Sequence, residues 1–365
     1  MSKKIIIAGG GTGGHIFPAI AIANALKKAD PSVELLFVGA KGKMEMEKIP
    51  QAGYKIEGLD IAGINRSSLI KNIGLPFKLV KSYFQVRRIM AGFMPDAVVG
   101  VGGYSTYPVL RYAQSKGIPS FIHETNSFAG KANMMLGKKA TTIFTASDGM
   151  EKFFPANRLM VVGNPVRADI TNSRVTREEG IRFFGLDPAL KTVLVTGGSL
   201  GAKGINEAID AQLEAFEASN LQLVWQTGKP YAARAKERAA GKRNIWTNDF
   251  ITQMNYAYAA GDIIISRAGG TVYELCVVKK PVVLVPYPFA TEDHQTANAM
   301  NLVQKHAGLM IKDSEAKEKL VPAVIALAGN EQQQATLKEN IGKLAITDAD
   351  TRIAAEILKT ISVQQ

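Results

Sequence analysis

A β-type run that ends in glycines and passes straight into a helical pattern occurs twice in this chain. "KKIIIAGGGTGGHIFPAIAIANAL" lies near the N-terminus and "KTVLVTGGSLGAKGINEAI" begins at residue 191. Each unit constrains the fold strongly. The apolar strand must be buried, the glycines let the backbone come close to a ligand, and the helix carries the chain back so that the next strand runs parallel.

The pattern continues around both units. "ELLFVG", "AVVGVGG", "SFIHE" and "TIFTAS" read as further strands of the first half; "LQLVWQTG", "NIWTNDFI", "DIIISRAGG" and "PVVLVPYP" read as strands of the second. Between them "VVGNPVRADITNSRVTREEG" loses the apolar alternation and reads as a loop. A length of 365 residues suits two domains, each with its own core. The fold class expected is α/β: two Rossmann-like domains, 1–165 and 166–345, with parallel sheets facing across a cleft. Ile353, Ile357, Leu358 and Ile361 share one helical face, so residues 346–365 should form a helix that packs back on the N-terminal domain.

Charge narrows the partners. The net charge is +12, which favours anions: nucleic acid, phosphorylated substrates or an anionic membrane surface. From Ile61 to Pro95 there is no acid, while Arg66, Lys71, Lys78, Lys81, Arg87 and Arg88 stand among Leu75, Phe77, Leu79, Val80, Tyr83 and Phe84. That mixture suits shallow docking on anionic headgroups, whereas an ordinary charge run is a solvated helix face. Nucleic acid is suggested by charge alone and finds no aromatic-basic binding motif. No run approaches the ~18 apolar residues of a membrane span. Cys276 is the only cysteine, so no internal disulfide forms; it reads as a small buried residue, and the compartment as a reducing one.

The glycine turns carry the chemistry. Gly9, Gly11 and Gly14 have the G-x-G-x-x-G spacing of a dinucleotide fingerprint. The acid wanted at the end of the second strand is replaced by Lys41, which leaves an NADP-type oxidoreductase as a rival. His15 sits at the head of the first helix, where the helix dipole disfavours its protonation. It reads either as a general base or as a turn cap. The second turn fails the P-loop test, and its Ser199 with helix-start amides suits a diphosphate. Nothing resembles an Asp-x-Asp metal grip at a strand end or a His/Cys cluster, so no metal and no cofactor is expected.

Taken in order, "GGGTGGHIFPAIAIANAL", "VGVGGYSTYP", "HETNSFAGKAN", "VVGNPVR", "TGGSLGA" and "SRAGGTVYEL…VLVPYPFATEDHQTANA" resemble the MurG family of bacterial lipid II-forming N-acetylglucosaminyltransferases, which have the GT-B fold. The resemblance runs the length of the chain. It implies transfer of N-acetylglucosamine from UDP-GlcNAc to the muramyl-pentapeptide on undecaprenyl diphosphate (lipid I), with a β-1,4 linkage and inversion at the sugar carbon. It implies a C-terminal domain that holds the donor and an N-terminal domain that holds the lipid acceptor. On matching positions, Glu274 would take the ribose hydroxyls, Ile251 would read uracil by its main chain, and Gln295 and Asn298 would grip the sugar. Ser199 and Arg167 would face the diphosphate, with Gly270 and Thr271 beside them. Thr12, Gly13, Gly14 and Asn126 would line the opposite side, and His15 would be the base. Thr125 stands where glutamine is usual, Tyr107 where a small residue is usual, and "RAGGTVYE" is one residue short. A lipid acceptor without a membrane span places the enzyme peripherally on the cytoplasmic face of the membrane, with Lys78, Lys81, Arg87 and Arg88 toward the lipid. A UDP-GlcNAc epimerase of the same fold is the nearest rival.

Overall fold

The computed structural model describes residues 2–61, 75–198 and 200–363, apart from the side chains of residues 75–79 and 291. Ser199, residues 62–74 and the side chain of Lys78 therefore lie outside the described residues. The chain forms two compact units, Met1–Arg167 with Thr347–Gln365, and Ala168–Ile346.

The first unit runs β1 (Lys4–Ala8), α1 (Gly13–Ala29), β2 (Glu34–Ala40), α2 (Glu45–Gln51), β3 (Ile56–Leu59), α3 (Leu75–Phe93), β4 (Ala97–Gly100), α4 (Thr106–Ser115), β5 (Ser120–Glu124), α5 (Lys131–Gly137), β6 (Thr142–Thr145) and β7 (Leu159–Val161). All strand pairs are parallel, in the order β3-β2-β1-β4-β5-β6-β7. A parallel sheet is covered on both faces, which explains why "IIIA" is apolar at every position. Ile5 and Ile7 enter one core with Ile16, Ile22 and Leu26 of α1; Ile6 and Ala8 enter the other with Val86, Leu110 and Leu136. The alternation is the two-residue period of a strand.

The second unit comprises α6 (Ala168–Thr171), α7 (Arg177–Phe184), β8 (Lys191–Thr196), α8 (Lys203–Ala211), α9 (Leu213–Ala218), β9 (Leu221–Gln226), α10 (Ala232–Ala239), β10 (Ile245–Asn248), α11 (Met254–Ala260), β11 (Ile263–Ser266), α12 (Thr271–Val278), β12 (Val282–Leu284), α13 (His294–Val303), β13 (Leu309–Met310), α14 (Ala316–Ala328) and α15 (Glu331–Lys343). Its sheet is parallel too, ordered β10-β9-β8-β11-β12-β13. The stretch expected to be loop instead holds α6 and the start of α7. A capping box begins α7: Thr176 accepts from the Glu179 amide while Glu179 accepts from the Thr176 amide.

The last helix, α16 (Ala349–Val363), belongs to the first unit. Ile353, Ala354, Ile357 and Ile361 join the core beneath α1, and Lys3 Nζ donates to Ser362. In both sheets the strand order reverses beside the first strand, between β1 and β4 and between β8 and β11. Ligands of open α/β sheets bind outside the carboxyl ends of the strands at such a reversal. The two glycine turns lie at those ends, at Gly9–Gly11 after β1 and Gly197–Gly201 after β8.

Candidate active site

In the first unit the turn after β1 closes on the turn after β4. The amide of Gly10 donates to the Gly102 carbonyl at 3.0 Å. Thr12 opens α1 through its backbone, its carbonyl accepting from the amides of His15 and Ile16, and its side chain is exposed. Gly13 and Gly14 fill the first turn of α1, which holds no acid. The amides of that turn keep their affinity for an anion.

His15 is half-buried, and its Nδ1 lies 3.0 Å from the Gly10 carbonyl. A carbonyl only accepts, so Nδ1 carries the hydrogen and Nε2 of the neutral ring carries the lone pair. A side chain on Gly102 would put its Cβ 2.7 Å from Nε2, so this position must be bare for the ring to sit where it does. The arrangement leaves the imidazole able to take a proton at one defined atom.

Glu45, in the first turn of α2, is 1% exposed. Its Oε2 accepts from the Gly11 amide at 2.7 Å and its Oε1 from the Ala40 amide at 3.0 Å. One of the amides that a dinucleotide diphosphate would use is thus bound by the chain's own carboxylate. Lys41 is paired with Asp60 at 3.2 Å. Both observations weigh against the NADP reading. Sequence reasoning missed Glu45, because an acid at a helix start ordinarily reads as solvated.

Asn126 is held by the buried Glu124, whose Oε1 accepts from the Asn126 amide and side chain while Oε2 accepts from Gly130 and Asn133. Thr125 is buried beside it, and Tyr107 packs against the core of α4 and α5. His123 is wholly buried, with Nε2 3.4 Å from the Gly163 carbonyl; burial pushes its pKa down to about 4. The Arg167 guanidinium lies over the Phe17 ring at 5.3 Å, which ties it to α1.

In the second unit Gln226, at the end of β9, connects the glycine turn after β8 to the expected position Ile251. Its Nε2 donates to the Gly198 carbonyl at 2.9 Å, and its Oε1 accepts from the Ile251 amide at 2.9 Å. Ile251 is buried, and with its N–H spent on Gln226 its carbonyl is the main-chain group it can offer a base. A polar residue closing the apolar run "LQLVWQ" was the available signal for Gln226.

Gly270 and Thr271 open α12, and Glu274 is half-buried in its first turn. Tyr258 of α11, itself 2% exposed, donates to Glu274 Oε2 at 2.8 Å. Arg267 is fixed by the carbonyls of Val285 and Pro286 and by Asp313. Gln295 accepts from the Tyr287 amide at 2.9 Å through Oε1, which leaves its amide hydrogens to face other groups. Asn298 is 1% exposed and spends an amide hydrogen on the Ala268 carbonyl at 3.0 Å. It thereby holds the loop that carries Gly269 and Gly270. Among the described residues no group of three His, Cys, Asp or Glu is placed to hold a metal ion. Cys276 is buried, and burial pushes its thiol up to about 12.

On α3, Val80, Tyr83 and Phe84 are exposed, as are Lys81, Arg87 and Arg88. The acid-free segment is nevertheless partly neutralised from outside. Asp60 pairs with Lys81 at 2.9 Å, and Lys81 and then Lys41 hold its carboxyl down at about 2.

Residues 5–145 match the glycosyltransferase family 28 N-terminal domain and residues 192–353 match the glycosyltransferase family 28 C-terminal domain. The chain is 49% identical over 361 residues to the UDP-N-acetylglucosamine--N-acetylmuramyl-(pentapeptide) pyrophosphoryl-undecaprenol N-acetylglucosamine transferase of Parabacteroides distasonis, covering 98% of each chain. It is 51% identical over 360 residues to the protein of the same name from Phocaeicola vulgatus, covering 98% of this chain and 96% of that one. Among solved structures, Acinetobacter baumannii MurG aligns with a TM-score of 0.79 at 29% identity, covering 98% of this chain and 100% of the other. A UDP-N-acetylglucosamine 2-epimerase aligns at 0.66 with 15% identity over 100% of this chain and 97% of the other, which speaks to the fold alone.

Proposed function

The chain belongs to glycosyltransferase family 28, and on that premise we propose how its own residues move N-acetylglucosamine from UDP-GlcNAc to lipid I, the step of peptidoglycan synthesis that yields lipid II. The observation that carries the reaction is near-half identity to transferases of that name across almost the whole of both chains. The epimerase reading finds no comparable support.

The acceptor hydroxyl attacks C1 of the donor sugar from the face opposite the diphosphate, so the configuration inverts. His15 Nε2 takes the hydroxyl proton as the new C–O bond forms. The bond from C1 to the diphosphate oxygen breaks, and its electron pair leaves with UDP. Negative charge grows on the departing diphosphate, and amides at the start of α8, Ser199 and Arg167 are the groups assigned to stabilise it. Glu274 binds the ribose, the Ile251 carbonyl reads uracil, and Gln295 offers its amide to the sugar, with Asn298 fixing the loop beside it. Gly270 and Thr271 bring the head of α12 to the donor. Thr12, Gly13, Gly14 and Asn126 complete the surface of the first unit that meets the substrates.

The acceptor is a lipid, and among the described residues no helix is long and apolar enough to cross a membrane. The exposed face of α3 supports peripheral docking on the cytoplasmic leaflet, with Val80, Tyr83 and Phe84 entering the interface and Arg87 and Arg88 meeting anionic headgroups. The base assignment is tested with His15→Ala. It should lower kcat by roughly 10² to 10⁴ and leave UDP-GlcNAc affinity near normal. Surviving turnover with weakened affinity would make His15 a binding residue.

A further inference from the structure

We infer that Glu45 is a positioning residue for His15 and acts on it through the Gly10–Gly11 peptide group. The inference rests on His15 as the base, but its structural part can be tested apart from turnover. The amide hydrogen of Gly11 is bound by Glu45 Oε2 at 2.7 Å. The carbonyl at the other end of the same peptide plane is Gly10, and it accepts from His15 Nδ1 at 3.0 Å. A carboxylate that accepts from the N–H of an amide pushes electron density toward its carbonyl oxygen, which becomes the stronger acceptor. The stronger acceptor holds the hydrogen on Nδ1 and fixes the lone pair on Nε2, as a carboxylate partner does in a direct carboxylate–histidine pair.

The socket around Glu45 is built for one side chain in one pose. Its second oxygen is fixed by the Ala40 amide at 3.0 Å. A Cβ on Gly10 would lie 2.3 Å from Glu45 Cδ, and one on Gly39 would lie 2.6 Å from its Cγ. Gly10 has φ +146°, a conformation that itself favours glycine. Two backbone positions are therefore bare where the carboxylate passes, and one of the two amides it binds belongs to the peptide group that His15 also binds. A mere brace between β2 and the turn would need no connection to the imidazole.

Glu45→Gln keeps the shape, removes the charge, and places an amide donor against one of two backbone donors. The full-length protein is labelled with ¹⁵N, and long-range ¹H–¹⁵N correlation reads the tautomer of its four histidines at a pH where they are neutral. His15→Ala assigns the His15 signals. Wild type should show His15 with its hydrogen on Nδ1, the less common form of a free imidazole. Glu45→Gln should shift His15 toward the Nε2–H form and lower kcat on the order of tenfold, with the KM for UDP-GlcNAc unchanged. A folded Glu45→Gln that retains the Nδ1–H form overturns the inference. So does a wild-type His15 in the Nε2–H form, which needs no variant to fold. A tautomer shift with unchanged turnover upholds the Glu45–His15 connection and removes His15 as the base.

Discussion

The hydroxyl of Tyr258 lies 2.8 Å from Oε2 of Glu274 and donates to it. The bond joins a buried position of α11 to the first turn of α12 and fixes the carboxylate's orientation. A carboxylate has about four lone-pair sites, so accepting from a phenol is compatible with accepting from both hydroxyls of a ribose.

Glu274→Ala should therefore weaken UDP-GlcNAc binding by about 1.5–3 kcal/mol, the scale of hydrogen bonds to a charged group. Tyr258→Phe removes that one hydrogen bond and keeps the carboxylate, and should cost a smaller ~0.5–1.5 kcal/mol. Calorimetry on both folded variants measures this. Unchanged affinity in Glu274→Ala would remove that residue from the donor site.

Membrane docking is best tested at Arg87 and Arg88. Lys81 is bound to Asp60, and reversing it would also break that pair. Each cation at an anionic surface contributes about 1 kcal/mol, so reversing both arginines to Glu should weaken binding to anionic vesicles by at least ~2 kcal/mol, roughly thirtyfold. High salt should weaken wild-type binding in the same sense. Activity on a water-soluble acceptor should persist. Sedimentation equal to wild type would exclude this face of α3 as the docking surface.

His123 predicts the acid limb of stability. Its folded pKa, about 4, lies below the ordinary 6.5 because burial disfavours the charged ring. The unfolded chain therefore binds the proton first as pH falls, and stability drops from about pH 6.5 toward pH 4. Once the ring is protonated the loss approaches roughly 3 kcal/mol. Denaturant titrations across that window should show the loss, and His123→Gln should flatten it. An equally steep profile in the variant would place its origin elsewhere.

The architecture was legible because burial writes itself into parallel strands. "KIIIA" and "KTVLVT" are apolar on both faces, and each is followed by glycines that only a turn explains. Of the short edge strands, β10 was read from "NIWTNDFI", but β3, β7 and β13 were not. β3 has a single buried position, Leu59, among its four residues, and β13 spans two, too few to carry a period. The start of α7 was misread although Thr176 and Glu179 carry the spacing of a capping box. At the site, sequence proposed residues for a ligand to touch but offered none of those that hold them. Glu45, Gln226 and Tyr258 act from positions where an acid on a helix, a strand-end glutamine and a helix tyrosine have ordinary readings. The balance of charge on α3 was hidden for a related reason: Asp60 lies one residue before the acid-free run begins, and only the fold brings it to Lys81.

The transfer itself is tested by structural analysis of the product that purified protein forms from UDP-GlcNAc and a short-chain lipid I analogue. Mass spectrometry should show the acceptor gaining one N-acetylhexosamine residue as UDP is released in equal amount, and NMR should show a β-1,4 linkage. An acceptor that stays unmodified while UDP-GlcNAc is converted to an epimer, or a product with an α linkage, would contradict it.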